Sequence, residues 1–249
     1  MIKLVISGCC GKMGLKILGL ASEDSEFEIV GAIEKEGNPN IGKKLSEVLG
    51  AKKPDIKVSS DMEAAIRKGN VLIEFTSPEA TLEHLDIVLK NKKAIVIGTT
   101  GIDDVGMKTI ALASKKIPVV FSPNMSVGVN LLFQLVKEAS EVLEDPKISM
   151  TEAHHKHKKD APSGTAKKLA QIIKDVKGKC DIPIESIREG EIIGDHTVVF
   201  DAKFETISLT HHAKSRDVFA SGALVAAKFI AKKGKGQFNM QDVLGLTRY

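Results

Sequence analysis

Apolar and polar positions follow two alternating patterns along the first half of the chain. Ile2 to Ser7 is a short, β-branched apolar run, and Lys12 to Ser22 then spaces Met13, Ile17, Leu18 and Leu20 as on one face of a helix. The strand pattern recurs at Glu28 to Ile33, Val71 to Phe75, Ala94 to Ile97 and Val119 to Phe121. Helical spacing fills Glu79 to Asn91 and Asp104 to Lys115 between the later runs. Such alternation predicts an α/β fold, a parallel sheet with helices on both faces.

After Pro123 the pattern changes. Asn130 to Glu144 reads as one amphipathic helix, with Leu131, Leu132, Leu135, Val136, Ala139, Val142 and Leu143 as its apolar positions, and Ile148 to Ala153 as a strand. Ser163 to Val176 is a second helix, and Ile184 to Arg188, Thr197 to Phe200 and Thr206 to Leu209 follow as strands. Strands in succession, separated by turn-length gaps such as Glu189 to Gly194, predict an antiparallel or mixed sheet in a second unit. Val218 to Lys232 reads as an Ala-rich helix and the Gly-Lys run 232–236 as an exposed loop, and no internal repeat occurs.

Composition narrows the function classes. In 249 residues, Lys plus Arg at 36 against Asp plus Glu at 32 gives a net charge of +4, and aromatics are 4% with no Trp. Neither a basic block nor interleaved aromatics mark a nucleic-acid binder. At 43% apolar the chain can bury a sizeable core, yet no apolar run approaches the roughly 20 residues that span a bilayer. The start, Met1 to Gly14, carries no export signal, and three cysteines, two of them adjacent, make no disulfide framework. A cytoplasmic protein is expected.

Gly8-Cys9-Cys10-Gly11-Lys12-Met13-Gly14 lies between a predicted strand and a predicted helix, where glycines let the backbone approach a pyrophosphate at the helix N-terminus. Glu34 ends the second strand, 20 residues after Gly14, where a carboxylate can accept from ribose hydroxyls. The spacing is GxxGxxG, with Cys10 where the middle glycine of the commoner pattern stands, so the context carries the nucleotide reading. Glu34 suits a free 2′-hydroxyl, while Lys35, and with it Lys12, can neutralise a 2′-phosphate or simply be solvated, so both NADH and NADPH are expected to serve. Gly98-Thr99-Thr100-Gly101 and Ser122-Pro123-Asn124-Met125-Ser126 follow strand ends; they are either ordinary turns or the nicotinamide side of the crevice.

Glu152-Ala153-His154-His155-Lys156-His157-Lys158-Lys159-Asp160-Ala161-Pro162-Ser163-Gly164-Thr165 is the most unusual stretch. Its lysines would repel a metal, and neighbouring His side chains on an extended segment face opposite ways, with only His155 and His157 alike. A solvated basic loop is the plain alternative. Anion binding accounts for more: Ser163-Gly164-Thr165 opens a helix whose positive end favours a carboxylate, with Lys158 and His155 adding charge. A His or Lys there can deliver a proton while a hydride arrives from a nicotinamide, which together make a reduction.

These motifs make the chain resemble the dihydrodipicolinate (4-hydroxy-tetrahydrodipicolinate) reductases nearly end to end. The resemblance runs through the 8–14 turn, Glu34, Glu74-Phe75-Thr76 with Pro78, the 98–101 and 122–130 loops, the segment 152–165, Ser215-Arg216 and 219–224, and the HHxHKxDAPSGTA stretch is its most specific part. It implies a discontinuous Rossmann-type dinucleotide-binding domain of residues 1–124 and 216–249, around an α+β substrate and oligomerisation domain of residues 125–215 with a mixed sheet. It further implies NADH or NADPH bound by Gly8, Cys9, Cys10, Gly11, Lys12, Met13, Glu34, Lys35, Gly98, Thr99, Thr100, Ser122, Pro123, Asn124 and Met125. His154 would donate the proton, paired with Lys158, and His155, Lys158, Gly164 and Thr165 would hold the carboxylates of a small cyclic substrate in the diaminopimelate route to lysine. No metal and a homotetramer are implied as well. Two segments depart from the family pattern: Leu209-Thr210-His211-His212-Ala213 lacks the usual Arg or Lys after its first His, and Gly236-Gln237-Phe238 stands where Gly-Leu-Tyr is usual. The rival readings are a reductase of another small cyclic dicarboxylate, a non-catalytic NAD(P)H sensor, and a metal-dependent hydrolase built on the histidines.

Overall fold

The computed structural model describes residues 1–50 and 56–246. The chain divides into two compact units, one of residues 1–126 and 219–249, the other of residues 127–218. Residues 51–55 and 247–249, which the sequence assigns to the dinucleotide-binding domain, lie outside the described residues.

In the first unit the chain runs through β1 (Ile2–Ser7), α1 (Lys12–Glu23), β2 (Phe27–Ile33), α2 (Leu45–Leu49), β3 (Val58–Ser59), α3 (Met62–Lys68), β4 (Val71–Glu74), α4 (Pro78–Lys90), β5 (Ala94–Ile97), α5 (Asp104–Ser114) and β6 (Pro118–Phe121). The second unit contributes α6 (Val127–Val142), β7 (Lys147–His154), α7 (Gly164–Lys177), β8 (Ile184–Arg188), β9 (Asp195–Asp201) and β10 (Thr206–His212). The chain then re-enters the first unit along α8 (Asp217–Ile230), β11 (Gly236–Phe238) and α9 (Met240–Leu244).

The first unit is a seven-stranded sheet in the order β11-β6-β5-β4-β1-β2-β3, with every pair parallel. Its central strands are buried on both sides, because strand alternation sends neighbouring residues into two separate cores. Leu4, Ile6, Ile73 and Val96 pack with Ile17 and Leu18 of α1 and Ala223, Ala227 and Ile230 of α8. Val5, Leu72, Ile95 and Ile97 pack with Leu85 and Val88 of α4 and Ile110 of α5. The Ala-rich face of α8 allows close approach: a Cβ on Gly222 would fall 1.7 Å from the Met125 carbonyl oxygen.

Hydrophobic periodicity predicts none of α2, β3, α3, β11 or α9. The run 232–236 is a loop only to Lys235, for Gly236 begins β11, which pairs with β6 through Gly236↔Pro118 and Gln237↔Val119. Side-chain caps start the helices where the sequence places polar residues: Ser77 accepts from Ala80 N–H before α4, and Asp103 from Gly106 N–H before α5.

The second unit has a four-stranded sheet in the order β10-β9-β7-β8, mixed because β7 and β8 are parallel while β7–β9 and β9–β10 are antiparallel. One face carries the core, in which Leu132 and Val136 of α6 and Leu169 and Ile173 of α7 cover Ile148, Met150, Val198 and Phe200. Ser149, Thr151, Thr197, Val199, Ser208 and Thr210 are exposed or half-buried and stand in register across β7, β9 and β10, so they line the opposite face. Among the described residues no helix is long and apolar enough to cross a membrane.

Candidate active site

In the first unit the turn after β1 is shaped for close backbone approach. Gly8 has φ +65°, and a Cβ on Gly14 would lie 2.1 Å from the Gly8 carbonyl oxygen, so the turn folds back on the first turn of α1. No side chain caps α1 at Gly11 and no acidic residue sits in its first turn, leaving its positive end for an anion. Glu34, after β2, faces this turn: it accepts from Cys10 N–H at 3.1 Å and from Lys35 N–H at 3.0 Å. A glycine cradle at an uncapped helix start beside a fixed carboxylate fits a dinucleotide.

The predicted cofactor residues enter in different ways. Lys12 and Lys35 are exposed, Met13 packs at the core edge, and Cys9 is fully buried, so only its backbone belongs to the cradle. Burial, with the Cys10 thiol and Glu34 adding, pushes the Cys9 thiol far above its ordinary pKa and leaves it unreactive. Gly98 leaves room for the Phe75 ring, which a Cβ would approach to 2.2 Å. Thr99 is buried and structural: its hydroxyl oxygen accepts from Thr76 N–H at 3.1 Å and lies 2.8 Å from Thr81 Oγ1. Ser122 Oγ donates to the Asn124 carbonyl at 2.8 Å and Met125 is buried in the core, so Thr100, Gly101 and Pro123 are the exposed members of these two loops.

Beneath the loops lies a buried polar network that periodicity does not reveal. Glu74 is fully buried at the end of β4, bonded to Thr76 Oγ1 and, at 2.7 Å, to His84 Nδ1, which also lies 3.3 Å from Ser7 Oγ.

In the second unit the His-rich segment begins on β7 itself, since the strand runs on through His154. Glu152 and His154, two residues apart, share a face. Glu152 is fully buried; one carboxylate oxygen bonds His154 Nδ1 and the other accepts from Ser163 N–H at 3.2 Å and Arg188 Nη2 at 2.6 Å. Burial pushes the Glu152 carboxyl up, but hydrogen bonds from Arg188, Ser186 and His154 outweigh it and hold the pKa at about 2. Burial lowers the His154 imidazole below its ordinary pKa; Glu152 pulls the other way, and Lys158 and Arg188 add to the lowering. A Cβ on Gly194 would come 3.1 Å from His154 Nε2, so the glycine keeps that edge of the ring uncrowded.

His196 of β9 crosses the His154 ring edge-on at 5.2 Å between centroids, and its Nε2 lies 3.1 Å from Ser163 Oγ. Burial, with His154 adding, pushes its pKa down to about 4. Ser163 is also the N-cap of α7, its hydroxyl oxygen accepting from Ala166 N–H at 3.2 Å. Gly164 is exposed at the first position of α7, with nothing within 4 Å of an added Cβ, and Thr165 follows half-buried. Lys158 Nζ is bonded to Asp160 at 2.8 Å, and the Asp160 carbonyl accepts from Arg188 at 2.6 Å, so Arg188 ties the loop to the strand. His155 and His157 stand 6.2 Å apart between ring centroids, and His155 Nδ1 is buried without a partner among the described residues.

The structure thus brings His154, Glu152, Arg188, His196 and Ser163 together, with Lys158 on the adjoining loop; sequence reasoning names no role for Glu152, Arg188 or His196. Glu152, His154 and His196 bring ligand atoms within 4.8 Å of one another, as do Cys9, Cys10 and Glu34. Neither set suits a cation: Arg188 already occupies Glu152 and Lys158 adds positive charge, while the Cys9 thiol stays protonated.

Two family models match the chain, "Dihydrodipicolinate reductase, N-terminus" over residues 2–125 and "Dihydrodipicolinate reductase, C-terminus" over residues 128–244. A 4-hydroxy-tetrahydrodipicolinate reductase of Syntrophus aciditrophicus is 40% identical, covering 98% of this chain and 99% of its own. One of Laribacter hongkongensis is also 40% identical, with 98% of both chains covered. Among solved structures, a dipicolinate-bound dihydrodipicolinate reductase from Paenisporosarcina sp. TG-14 superposes with a TM-score of 0.82 at 25% identity, covering 97% of this chain and 98% of its own.

Proposed function

The chain belongs to the dihydrodipicolinate reductase family, and on that premise we propose that it reduces 4-hydroxy-tetrahydrodipicolinate to tetrahydrodipicolinate with NADH or NADPH and loss of water, in lysine biosynthesis via diaminopimelate. The reading extends to the chain the activity named for its 40%-identical relatives. The observation that carries the chemistry is the buried Glu152–His154 pair beside the start of α7, where a proton donor and a carboxylate-binding helix end occur together.

In this reading the first unit holds the cofactor. The backbone of Gly8, Cys10, Gly11 and Met13 cradles the pyrophosphate at the start of α1, Glu34 takes the ribose hydroxyls, and the 98–100 and 122–124 loops border the nicotinamide. Exposed Lys35 beside Glu34 supports acceptance of a 2′-phosphate as well. When bound, the dihydronicotinamide supplies the hydride.

The second unit holds the substrate. Gly164 and Thr165 at the positive end of α7, with His155 and Lys158, bind its two carboxylates; the dipicolinate bound to the Paenisporosarcina relative is a cyclic dicarboxylate of the same class. His154 delivers the proton that accompanies the hydride, so that two hydrogens reach the ring and one water leaves. In this reading copies assemble through the open face of the four-stranded sheet into a homotetramer, as the family resemblance implies. Three free cysteines support a cytoplasmic setting.

The test is consumption of reduced nicotinamide by the purified protein, with substrate generated in place by the preceding synthase and NADH and NADPH run in parallel. Consumption that depends on the synthase is expected with both. His154→Gln should lower kcat by roughly 10²–10⁴ while cofactor affinity is kept. No synthase-dependent consumption would overturn the reaction, and undiminished turnover in the variant would overturn the role of His154.

A further inference from the structure

We propose that Glu152 and Arg188 are positioning residues for His154: Arg188 fixes the Glu152 carboxylate, and Glu152 accepts a hydrogen bond from Nδ1–H, so that Nε2 is the atom that delivers a proton to substrate. The inference rests on the reductase reading above and deepens it.

The geometry begins in the strands. Glu152 and His154 lie two apart on β7 and share a face, while in the parallel β7–β8 register Arg188 stands directly opposite His154. Three side chains are thereby brought into one buried cluster. A buried carboxylate demands compensation, and Glu152 obtains it from Arg188, Ser163 N–H, Ser186 and His154. Arg188 Nη2 and Ser163 N–H both converge on one carboxylate oxygen, and His154 Nδ1 bonds the other.

A ring whose Nδ1–H donates to a fixed carboxylate holds its donor or acceptor at Nε2, and the adjacent negative charge stabilises the imidazolium that a general acid must form between turnovers. The charged and titratable groups facing His154 are Glu152 on its own strand, Arg188 on β8, His196 on β9 and Lys158 on the loop. Arg188 and Lys158 oppose protonation of His154, so Glu152 is the member of this set that favours it. A carboxylate that only completed a fold would affect stability without lowering kcat in a folded variant whose KM is unchanged.

Glu152→Gln separates the two roles. Because Arg188 and Ser163 N–H pin an acceptor at one position, the amide oxygen stays there and the NH₂ faces Nδ1. Two donors then meet whenever His154 is protonated, and the neutral ring is driven to carry its proton on Nε2 without the carboxylate that would stabilise reprotonation. Arg188→Met has the opposite electrostatic sign, since it removes a positive neighbour and leaves the carboxylate.

The experiment follows the imidazole signals of His154 by NMR against pH, in the protein without cofactor or substrate, for the wild type and both variants, alongside kcat and KM in the coupled assay. Glu152→Gln should shift the His154 titration down by at least about one unit and Arg188→Met should shift it up, with folding confirmed by far-UV circular dichroism. In the same assay Glu152→Gln should lower kcat by about 10²-fold or more with KM little changed. An unmoved titration in folded Glu152→Gln, or both variants moving it the same way, overturns the proposal. Should Glu152→Gln not fold, the upward shift in Arg188→Met decides, and its absence is equally fatal. Opposed shifts in the two variants beside a wild type with no synthase-dependent turnover retain the positioning role and lose the assigned reaction.

Discussion

Acidification should weaken this protein most through His196. The residue is 3% exposed, wedged between His154 and Ser163, and among the described residues its Nδ1 has no partner, so a second proton on the ring would be buried without an acceptor. Burial above all, with His154, His211 and Lys158 opposing the charge and Glu152 favouring it, puts the folded pKa at about 4 against 6.5 for the unfolded ring. A folded pKa below the unfolded one means that the unfolded chain binds more protons between the two values. The stabilisation is therefore complete above about pH 6.5 and is lost as the pH falls toward about 4. The full gap amounts to about 3 kcal/mol, of which about 2 kcal/mol disappears between about pH 7 and pH 5. Urea unfolding followed by far-UV circular dichroism, at one protein concentration and both pH values, measures it in the wild type and in His196→Gln, whose amide can still reach Ser163. The buried His154 and half-buried His211 rings contribute in both proteins, so the difference between the two pH dependences isolates His196. The wild type should lose about 2 kcal/mol more than the variant on acidification. Equal losses would refute the reasoning that burial of a neutral ring sets this pKa.

Two further expectations concern the ligand-binding halves. Lys158→Ala removes a cation from the carboxylate site and should lower kcat/KM by roughly 10–100-fold, with part of the loss in KM; unchanged substrate affinity would take Lys158 out of the site. Gly14→Ala places a Cβ 2.1 Å from the Gly8 carbonyl oxygen, so the cradle must open. Calorimetry should show a protein less stable by about 1–3 kcal/mol with much weaker binding of NADH and NADPH, and wild-type affinity would show that the turn is not the pyrophosphate cradle.

The parallel sheet was legible because β1, β4 and β5 are almost wholly apolar and the helices between them keep helical spacing. The elements that escaped are those too short to carry a period. Met62, Ala65 and Ile66 are the buried positions of seven-residue α3, and β3 has two residues whose strand character comes from pairing with β2. Glycine and lysine around position 236 signal a loop, and only the β6 edge makes Gly236 to Phe238 a strand. In the site, the strand predicted to end at Ala153 runs on to His154, and the one predicted from Thr197 starts at Asp195, which brings His196 in. The Glu-x-His spacing of Glu152 and His154 is visible in the sequence once both residues are on a strand. Arg188 is different, since its place opposite His154 follows from a parallel register formed across a 34-residue separation, which no local pattern encodes. Glu74 and His84 likewise meet only because α4 folds back over the end of β4.

The first unit is threaded from two distant stretches of chain, and this has a consequence for synthesis on the ribosome. Residues 127–218 form a contiguous unit with its own core, complete once they have emerged. Residues 1–126 emerge earlier but lack α8, so Leu4, Ile6 and Val96 have no Ala223, Ala227 and Ile230 to cover them, and the β6 edge has no β11. The usual amino-to-carboxyl order of maturation is therefore inverted, with the later-made unit able to finish first. Until the last stretch arrives, the nascent nucleotide-binding half presents an apolar sheet face and an open strand edge, the two features that draw chaperones and neighbouring chains.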